Sequence, residues 1–429
     1  MNRYPSYKPT GVKWLGEIPS HWEAITLKRV FIRRIAGSWG EDENKLPRNS
    51  VCLRIADFDY GKLSFKIKEE YTIRSYFEDE VENKHLIKGD ILIEKSGGGE
   101  KTPVGRCVMY DLDIEKPMYA NFMEKLVCQN MANPKFINYL MSSLYTCGVI
   151  WPYVKATTGI QNLDITSLLQ KETIYLPPFD EQSAIAAYLD TATAKIDAAI
   201  AQQQKMIDLL NERKQIIINR AVTKGLNPNA KMKDSGVEWI GEVPEHWEIL
   251  PYRYLFYNLD KLRMPITADQ RSRNNPQYDY YGASGVIDKI DYYNVEDKVL
   301  LIGEDGANLL MRNLPLIYKA EGKFWVNNHA HILKPIRDDY DYLAYVMEAA
   351  DYTLFITGSA QPKLSQANLN CVKLPIPPLE EQKAIVDYLS KRTSKIDEAI
   401  KESNSMIALL QERKQIIINE VVTGKVKVG

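Results

Sequence analysis

The stretch LPPFDEQSAIAAYLDTATAKIDAAIAQQQKMIDLLNERKQIIINRAVT, beginning at Leu176, returns as IPPLEEQKAIVDYLSKRTSKIDEAIKESNSMIALLQERKQIIINEVVT, beginning at Ile376. The offset is a constant 200 residues, and Glu212 to Asn219 is identical to Glu412 to Asn419. Within the first copy Ile185, Leu189, Ile196, Ala199, Met206, Leu210, Ile217 and Ala221 form an apolar stripe with steps of three, four and seven. Ile385, Leu389, Ile396, Ala399, Met406, Leu410, Ile417 and Val421 repeat it closely. This spacing predicts one long helix per copy with a coiled-coil-like seam. Pro177–Pro178 and Pro377–Pro378 pre-set φ for a helix start, and the acids that follow suit the positive end of the helix dipole. Gly225 and Gly424 mark the ends. About 43 residues at ~1.5 Å each give a length on the order of 65 Å.

A second repeat precedes each variable region. Gly11, Val12, Trp14, Gly16, Glu17, Pro19, His21, Trp22 and Glu23 return as Gly236, Val237, Trp239, Gly241, Glu242, Pro244, His246, Trp247 and Glu248. The segments between the repeated blocks, roughly 31–175 and 256–375, show little similarity. A chain that keeps its frame while two inserts diverge is expected to recognise two different things. The expected division is 1–177 and 233–377 as recognition domains, 178–224 and 378–425 as helical regions, and 225–232 as a linker. Each stripe is best covered by the other helix, which predicts an intramolecular antiparallel pair and places the N-terminal block beside the end of the second helix. The fold expected is α+β with a pseudo-two-fold internal repeat.

The 429 residues, 45% hydrophobic and 26% charged, are those of a globular chain of two or three domains. With 55 Lys+Arg against 56 Asp+Glu, no global basic charge announces a nucleic-acid partner, so binding must rest on local patches or on other chains. Five scattered cysteines (Cys52, Cys107, Cys128, Cys147, Cys371) fit neither a disulfide framework nor a zinc ribbon. Nowhere do about 18 apolar residues run unbroken, and a cytoplasmic protein without membrane association is expected.

The two IP-x-x-W-like segments (IPSHWE, VPEHWE), each followed in order by PP-x-x-EQ and a helix ending in ERK and VT, resemble the specificity subunit of type I restriction–modification systems over essentially the whole chain. The resemblance implies a subunit with no catalytic activity of its own, whose two target recognition domains each read one half of a bipartite double-stranded DNA target. The helices would space the halves and dock two adenine-N6 methyltransferase subunits, with Glu212, Arg213, Lys214, Asn219, Glu412, Arg413, Lys414 and Asn419 as interface residues. S-adenosylmethionine would then sit on the methyltransferase partner. ATP and Mg would sit on a restriction and translocase partner, of which two copies can join. No cofactor or metal is expected on this chain.

Glycine- and amide-rich loops after apolar runs are candidates for DNA contact, because glycine permits close approach and Asn, Arg and Lys donate to bases and phosphates. In the first domain these are Lys95, Ser96, Gly97, Gly98 and Lys101, joined by Asn121 and by Thr157, Thr158, Gln161 and Asn162. The second domain offers Asn308 and Arg312 beside Glu304 and Asp305, then Ser359, Gln361 and Lys363, and the donor-rich Arg271, Arg273, Asn274, Asn275 and Gln277. In VNNHAHIL, Asn327, Asn328, His329 and His331 read as a polar strand near DNA or a packed histidine rather than a zinc site, with Asn121 as the counterpart in the first half.

Three stretches mimic an enzyme, which would make the chain a stand-alone methyltransferase or nuclease. Leu176–Phe179 resembles the [ND]-PP-[FY] motif but lacks its amide or carboxyl. GGGEKT at 97–102 lacks the P-loop spacing. Asp305 with Glu321 and Lys323 is a nuclease-like set at a common spacing.

Overall fold

The structure is a computed structural model that describes residues 3–12, 14–99, 101–157, 159–267, 271, 276–358 and 361–428. It comprises two units: residues 1–202 with 406–429, and residues 203–405. Both long helices contribute to both units.

In unit 1, β1 (Phe31–Ala36), β2 (Ile91–Glu94), β4 (Cys107–Met109) and β5 (Met123–Cys128) form an antiparallel sheet in the order β4-β2-β5-β1. A smaller sheet joins β3 (Ser96–Gly97), β6 (Val154–Thr157) and β7 (Ile160–Leu163) in the order β3-β7-β6. The helix α1 (Pro134–Thr146), capped by Asn133, packs behind. The helix α2 (Phe179–Lys224) begins here and extends into unit 2.

In unit 2, β8 (Phe256–Asn258), β9 (Tyr278–Gly282), β10 (Gly285–Ile290), β11 (Val295–Gly303), β12 (Ile317–Val326) and β13 (Ala330–Pro335) form one sheet in the order β8-β13-β11-β12-β9-β10. Its first four strands repeat the unit 1 order, with β8, β13, β11 and β12 in the places of β1, β5, β2 and β4. The helix α3 (Tyr340–Ala349), capped by Asp339, takes the place of α1, and α4 (Leu379–Val422) follows. The inserts that looked unrelated as sequence therefore share a topology. Their difference in length falls partly in 37–90 against 259–294; the longer unit 1 segment supports a sheet of Arg48–Leu53, Ile73–Tyr76 and Met118–Tyr119.

Within each unit the two helices run antiparallel, as the repeated stripe predicts. In unit 1 the Lys414 ammonium on α4 lies 2.6 Å from Asp197 on α2, and Ile185, Leu189 and Ile196 share a core with Ile417, Ile418 and Val421. In unit 2 Lys214 lies 2.6 Å from Asp397, and Ile218 and Val222 share a core with Ile385 and Leu389. The predicted seam needs one correction. Met206 is 48% exposed and Met406 47%, while Ile207 at 7% and Ile218 at 3% are the buried positions. A straight helix turns every 3.6 residues, so a stripe counted at 3.5 drifts off the buried face along its length.

The repeated motifs lock each helix to its own unit. Glu181 accepts from Tyr4 Oη (2.6 Å) and Trp22 Nε1 (3.1 Å) and pairs with His21 Nε2 at 2.7 Å. Glu381 accepts from Trp247 Nε1 at 3.1 Å and pairs with His246 Nε2 at 2.8 Å. Burial alone would raise the Glu181 carboxyl, but the hydrogen bonds from Tyr4, His21 and Trp22 outweigh it and hold its pKa below the usual glutamate value. The next residue is a second latch. Buried Gln182 donates to the carbonyls of Met131 and Pro177 and accepts from the amide of Asn133; Gln382 donates to Pro377 and Asp338 and accepts from Asp339. Asn133 and Asp339 are the caps of α1 and α3, so one glutamine ties the start of a long helix to the start of a domain helix. Gly225 and Gly424 take φ of +71° and +70°, each with its missing Cβ facing a buried tryptophan, Trp247 or Trp22. The N-terminal block thus seats against the end of α4, where Tyr7 Oη reaches the Lys425 carbonyl at 3.4 Å.

Candidate nucleic-acid interface

A strand edge, a tight turn and a returning loop meet in each unit. In unit 1 the amide of Lys95, just past β2, donates to the carbonyl of Phe122 (2.8 Å), and the Lys95 carbonyl accepts from Leu163 (2.9 Å). In unit 2 the amide of Glu304, just past β11, donates to the carbonyl of His329 (2.8 Å), and the Glu304 carbonyl accepts from Leu364 (2.7 Å). Strand pairing agrees, with Glu94 opposite Met123 and Gly303 opposite Ala330. Lys95 therefore corresponds to Glu304, Ser96 to Asp305, Asn121 to Asn328, Phe122 to His329, and Asn162 to Lys363. The expected pairing of Asn121 with the NNH segment is what the backbone shows.

The frame brings together residues chosen from separate loops. In unit 1, Ser96 and Gly97 pair with Asn162 and Gln161, and Ser96 Oγ donates to Asn162 Oδ1 at 2.6 Å. Gln161 points inward: its Oε1 accepts from the Val104 amide and its Nε2 donates to the Gly99 carbonyl, which shapes the turn carrying Gly98 and Lys101. Lys95 and Lys101 make no ion pair among the described residues, and Lys101 and Asn121 are exposed. The backbone of Thr157 pairs with Ile160 in β6 and β7. Thr158 lies outside the described residues.

In unit 2 the same frame is heavily charged. Glu304 faces Arg263 and, at 3.1 Å, Lys363; Asp305 lies 2.8 Å from His329 Nδ1. His331 is packed, as one sequence reading held. It is buried, with Nδ1 2.6 Å from Asp260 and Nε2 2.8 Å from the Leu364 carbonyl. Burial would raise the Asp260 carboxyl, but the hydrogen bond and charge of His331 and the amide of Ile332 dominate and lower its pKa. Asn327 is buried and accepts from the amide of His329, so it shapes the turn that exposes Asn328 and His329. Gln361 and Gln277 are exposed.

Other chosen side chains are committed to the scaffold. Asn308 bridges the backbone of Leu314 and Pro315, and Arg312, with φ of +50°, caps α3 through the carbonyls of Glu348 and Ala350. Arg271 stacks 4.5 Å over the Tyr280 ring and lies 3.4 Å from Asp288. Arg273, Asn274, Asn275 and Ser359 lie outside the described residues. Of the helix positions, Glu212, Arg213, Asn219, Glu412 and Arg413 are exposed, whereas Lys214 and Lys414 hold the helix pair and Asn419 accepts from Gln415. Residue choice missed Phe122 and Ile160, which are exposed beside the unit 1 frame, and an exposed apolar row on each long helix: Met206, Leu209, Ile216 and Met406, Leu409, Ile416. Large apolar side chains at matched positions of the repeat, with Leu209, Ile216, Leu409 and Ile416 off the predicted seam, were the available signal.

Among the described residues the enzyme-like stretches do not assemble. Pro177 and Pro178 lead into α2, Gly97 lies in a strand rather than before a phosphate-binding helix, and Glu321 and Lys323 face Lys298 and Glu296 across β11 and β12 while Asp305 faces His329.

Residues 244–406 match the family model of the type I restriction modification DNA specificity domain. The chain is 26% identical over 435 aligned positions to the type I restriction enzyme MjaX specificity subunit of Methanocaldococcus jannaschii, covering 96% of each. It is also 26% identical to the MjaVIII specificity subunit of that organism, over 63% of this chain and 66% of that one. A solved chain, described under complex assembly and conformational transition of the type I R-M system, shares the fold with a TM-score of 0.67 at 14% identity, over 95% of this chain and 99% of that one. With a match to the specificity-domain model in its second half, a relative of matching length and a shared architecture, the chain is similar over nearly its whole length to the specificity subunits of type I restriction–modification systems.

Proposed function

We propose that this chain is the non-catalytic DNA-reading subunit of a type I restriction–modification complex. The observation that carries the reading is the frame built twice, once in each half, with different side chains on the same backbone positions. Two readers of one design and unequal chemistry suit a target of two unequal halves. Residues 1–177 and 233–377 act as the recognition domains, and the helical regions 178–224 and 378–425 set the spacing between half-sites. The exposed rows Met206–Leu209–Ile216 and Met406–Leu409–Ile416, beside Glu212, Arg213, Glu412 and Arg413, supply matched faces for two copies of an adenine-N6 methyltransferase subunit. That partner binds S-adenosylmethionine, and an ATP- and Mg-dependent translocase and endonuclease joins for restriction. A near-neutral specificity chain fits this division, because partners can supply much of the phosphate-binding charge.

The test is a genome-wide map of N6-methyladenine in a methylation-deficient host carrying the cognate methyltransferase subunit, with and without this chain. A gapped two-part motif that appears only with the chain is the expected result. No chain-dependent methylation from a soluble, assembled complex overturns the reading.

A further inference from the structure

We propose that the two half-sites are discriminated at three equivalent positions, Ser96, Phe122 and Asn162 in unit 1 and Asp305, His329 and Lys363 in unit 2, and that these give the halves different base content. The inference rests on the DNA-reading function above and adds which residues discriminate and what they select. The backbone at these positions is the same in both units, because each frame is pinned by the matched amide–carbonyl pairs from Lys95 and Glu304. What differs is the chemistry held outward.

Unit 1 offers an apolar ring and an amide. Phe122 is 51% exposed, so its ring is open to an apolar partner. Asn162 spends its oxygen on the Ser96 hydroxyl at 2.6 Å, so the outward group is its NH2, a donor. An apolar face beside a donor matches the C5-methyl and O4 of thymine in the major groove. Unit 2 offers an ammonium and an imidazole. The Lys363 side chain is 55% exposed and one of its three protons goes to Glu304 at 3.1 Å, leaving two to donate. Asp305 at 2.8 Å holds the His329 ring by Nδ1 and turns Nε2 outward. An ammonium fixed by an acid beside the groove matches the O6 and N7 acceptors of guanine. The unit 1 half-site therefore contains an A·T pair met by Phe122, and the unit 2 half-site a G·C pair met by Lys363. Asn121 and Asn328, alike in both units, belong to the common frame and do not discriminate.

The test alters one half at a time in the assembled methyltransferase complex and reads the N6-methyladenine motif. Lys363→Asn with His329→Phe is expected to relax the guanine at one position of one half by about tenfold or more, the discrimination carried by a direct base contact, with the other half and the spacer unchanged. Phe122→His with Asn162→Lys is expected to do the same to an A·T position of the opposite half. Lys363→Arg, which keeps the donors, retains the guanine. An unchanged motif in both variants overturns the inference, and so does an equal loss of methylation at every site from a complex that assembles, since that marks contact with phosphate rather than base. Because each half has its own variant, failure of one to assemble leaves the other to decide. A wild-type chain that directs no gapped motif refutes the DNA-reading function itself, a distinct result.

Discussion

Glu181 and Glu381 receive the same histidine and tryptophan donors, and Gln182 and Gln382 tie down the same helix caps, yet a few strands away Phe122 stands where His329 stands and Asn162 where Lys363 stands. The constant regions conserve side-chain chemistry and sequence together. The tips conserve only backbone hydrogen bonds. The contrast teaches that attachment is stored in side-chain pairs that are the same in both halves, whereas the tips keep one backbone and carry a different set of side-chain pairs on it, Ser96 with Asn162 in one half and His329 with Asp305 in the other.

The sharpest way to break the comparison is at the tryptophans. Trp22→Ala and Trp247→Ala each remove a fully buried indole and a hydrogen bond to the helix start, and each is expected to cost about 3–5 kcal/mol. Hydrogen exchange should show accelerated opening at the start of α2 in the first variant and of α4 in the second. If one variant leaves its helix protected, the two latches are not equivalent.

A smaller effect separates the units by pH. Asp260 exists only in the unit 2 network, and its folded pKa is lowered. A depressed acid stabilises the fold above its unfolded pKa, near 3.9, and loses that contribution as pH falls through the lower folded value. Asp260→Asn should therefore lower the stability of unit 2 at neutral pH and flatten its loss below about pH 4, with unit 1 unaffected. Hydrogen exchange as a function of pH measures both; an equally steep acid loss in the variant would assign it to other groups.

The smallest effect concerns the helix pair. Lys214→Ala and Lys414→Ala remove matched ion pairs, but the Lys414 side chain is 11% exposed against 27% for Lys214, and its ammonium also donates to the Gly61 carbonyl. The expected costs are on the order of 0.5–1 kcal/mol at Lys214, an exposed pair screened by salt, and somewhat more at Lys414. Urea denaturation at two salt concentrations orders them. A larger loss at Lys214 would reverse the ranking.

The repeat made much of this legible. The long helices, their antiparallel pairing and the seating of the N-terminal block against Gly424 follow from two repeats and an apolar stripe. The exposed Met206 does not, because a 3.5-residue count cannot follow a 3.6-residue helix to its far end. The purpose of Gln182 was hidden because its partners, Asn133 and Met131, lie in a variable segment. The common frame was hidden for a related reason: hydrogen bonds between backbone groups place no demand on residue type, so Lys95 and Glu304 look unrelated. Arg271, Asn308 and Arg312 looked like donors for DNA because a sequence lists donors without showing that Tyr280, Leu314 and the end of α3 already use them.

The closure of unit 1 by residues 406–429 bears on how the chain is made. Unit 2 is continuous, residues 203–405, and its contacts are complete once that stretch has left the ribosome. Unit 1 is not: the partners of Pro19, Trp22 and Asp197 include Gly424 and Lys414, which are synthesised after unit 2. Unit 1, begun before unit 2, is thus finished after it. It waits for unit 2 with the α2 face that Ile417 and Val421 will cover still open, a span in which a chaperone or a neighbouring chain can occupy it.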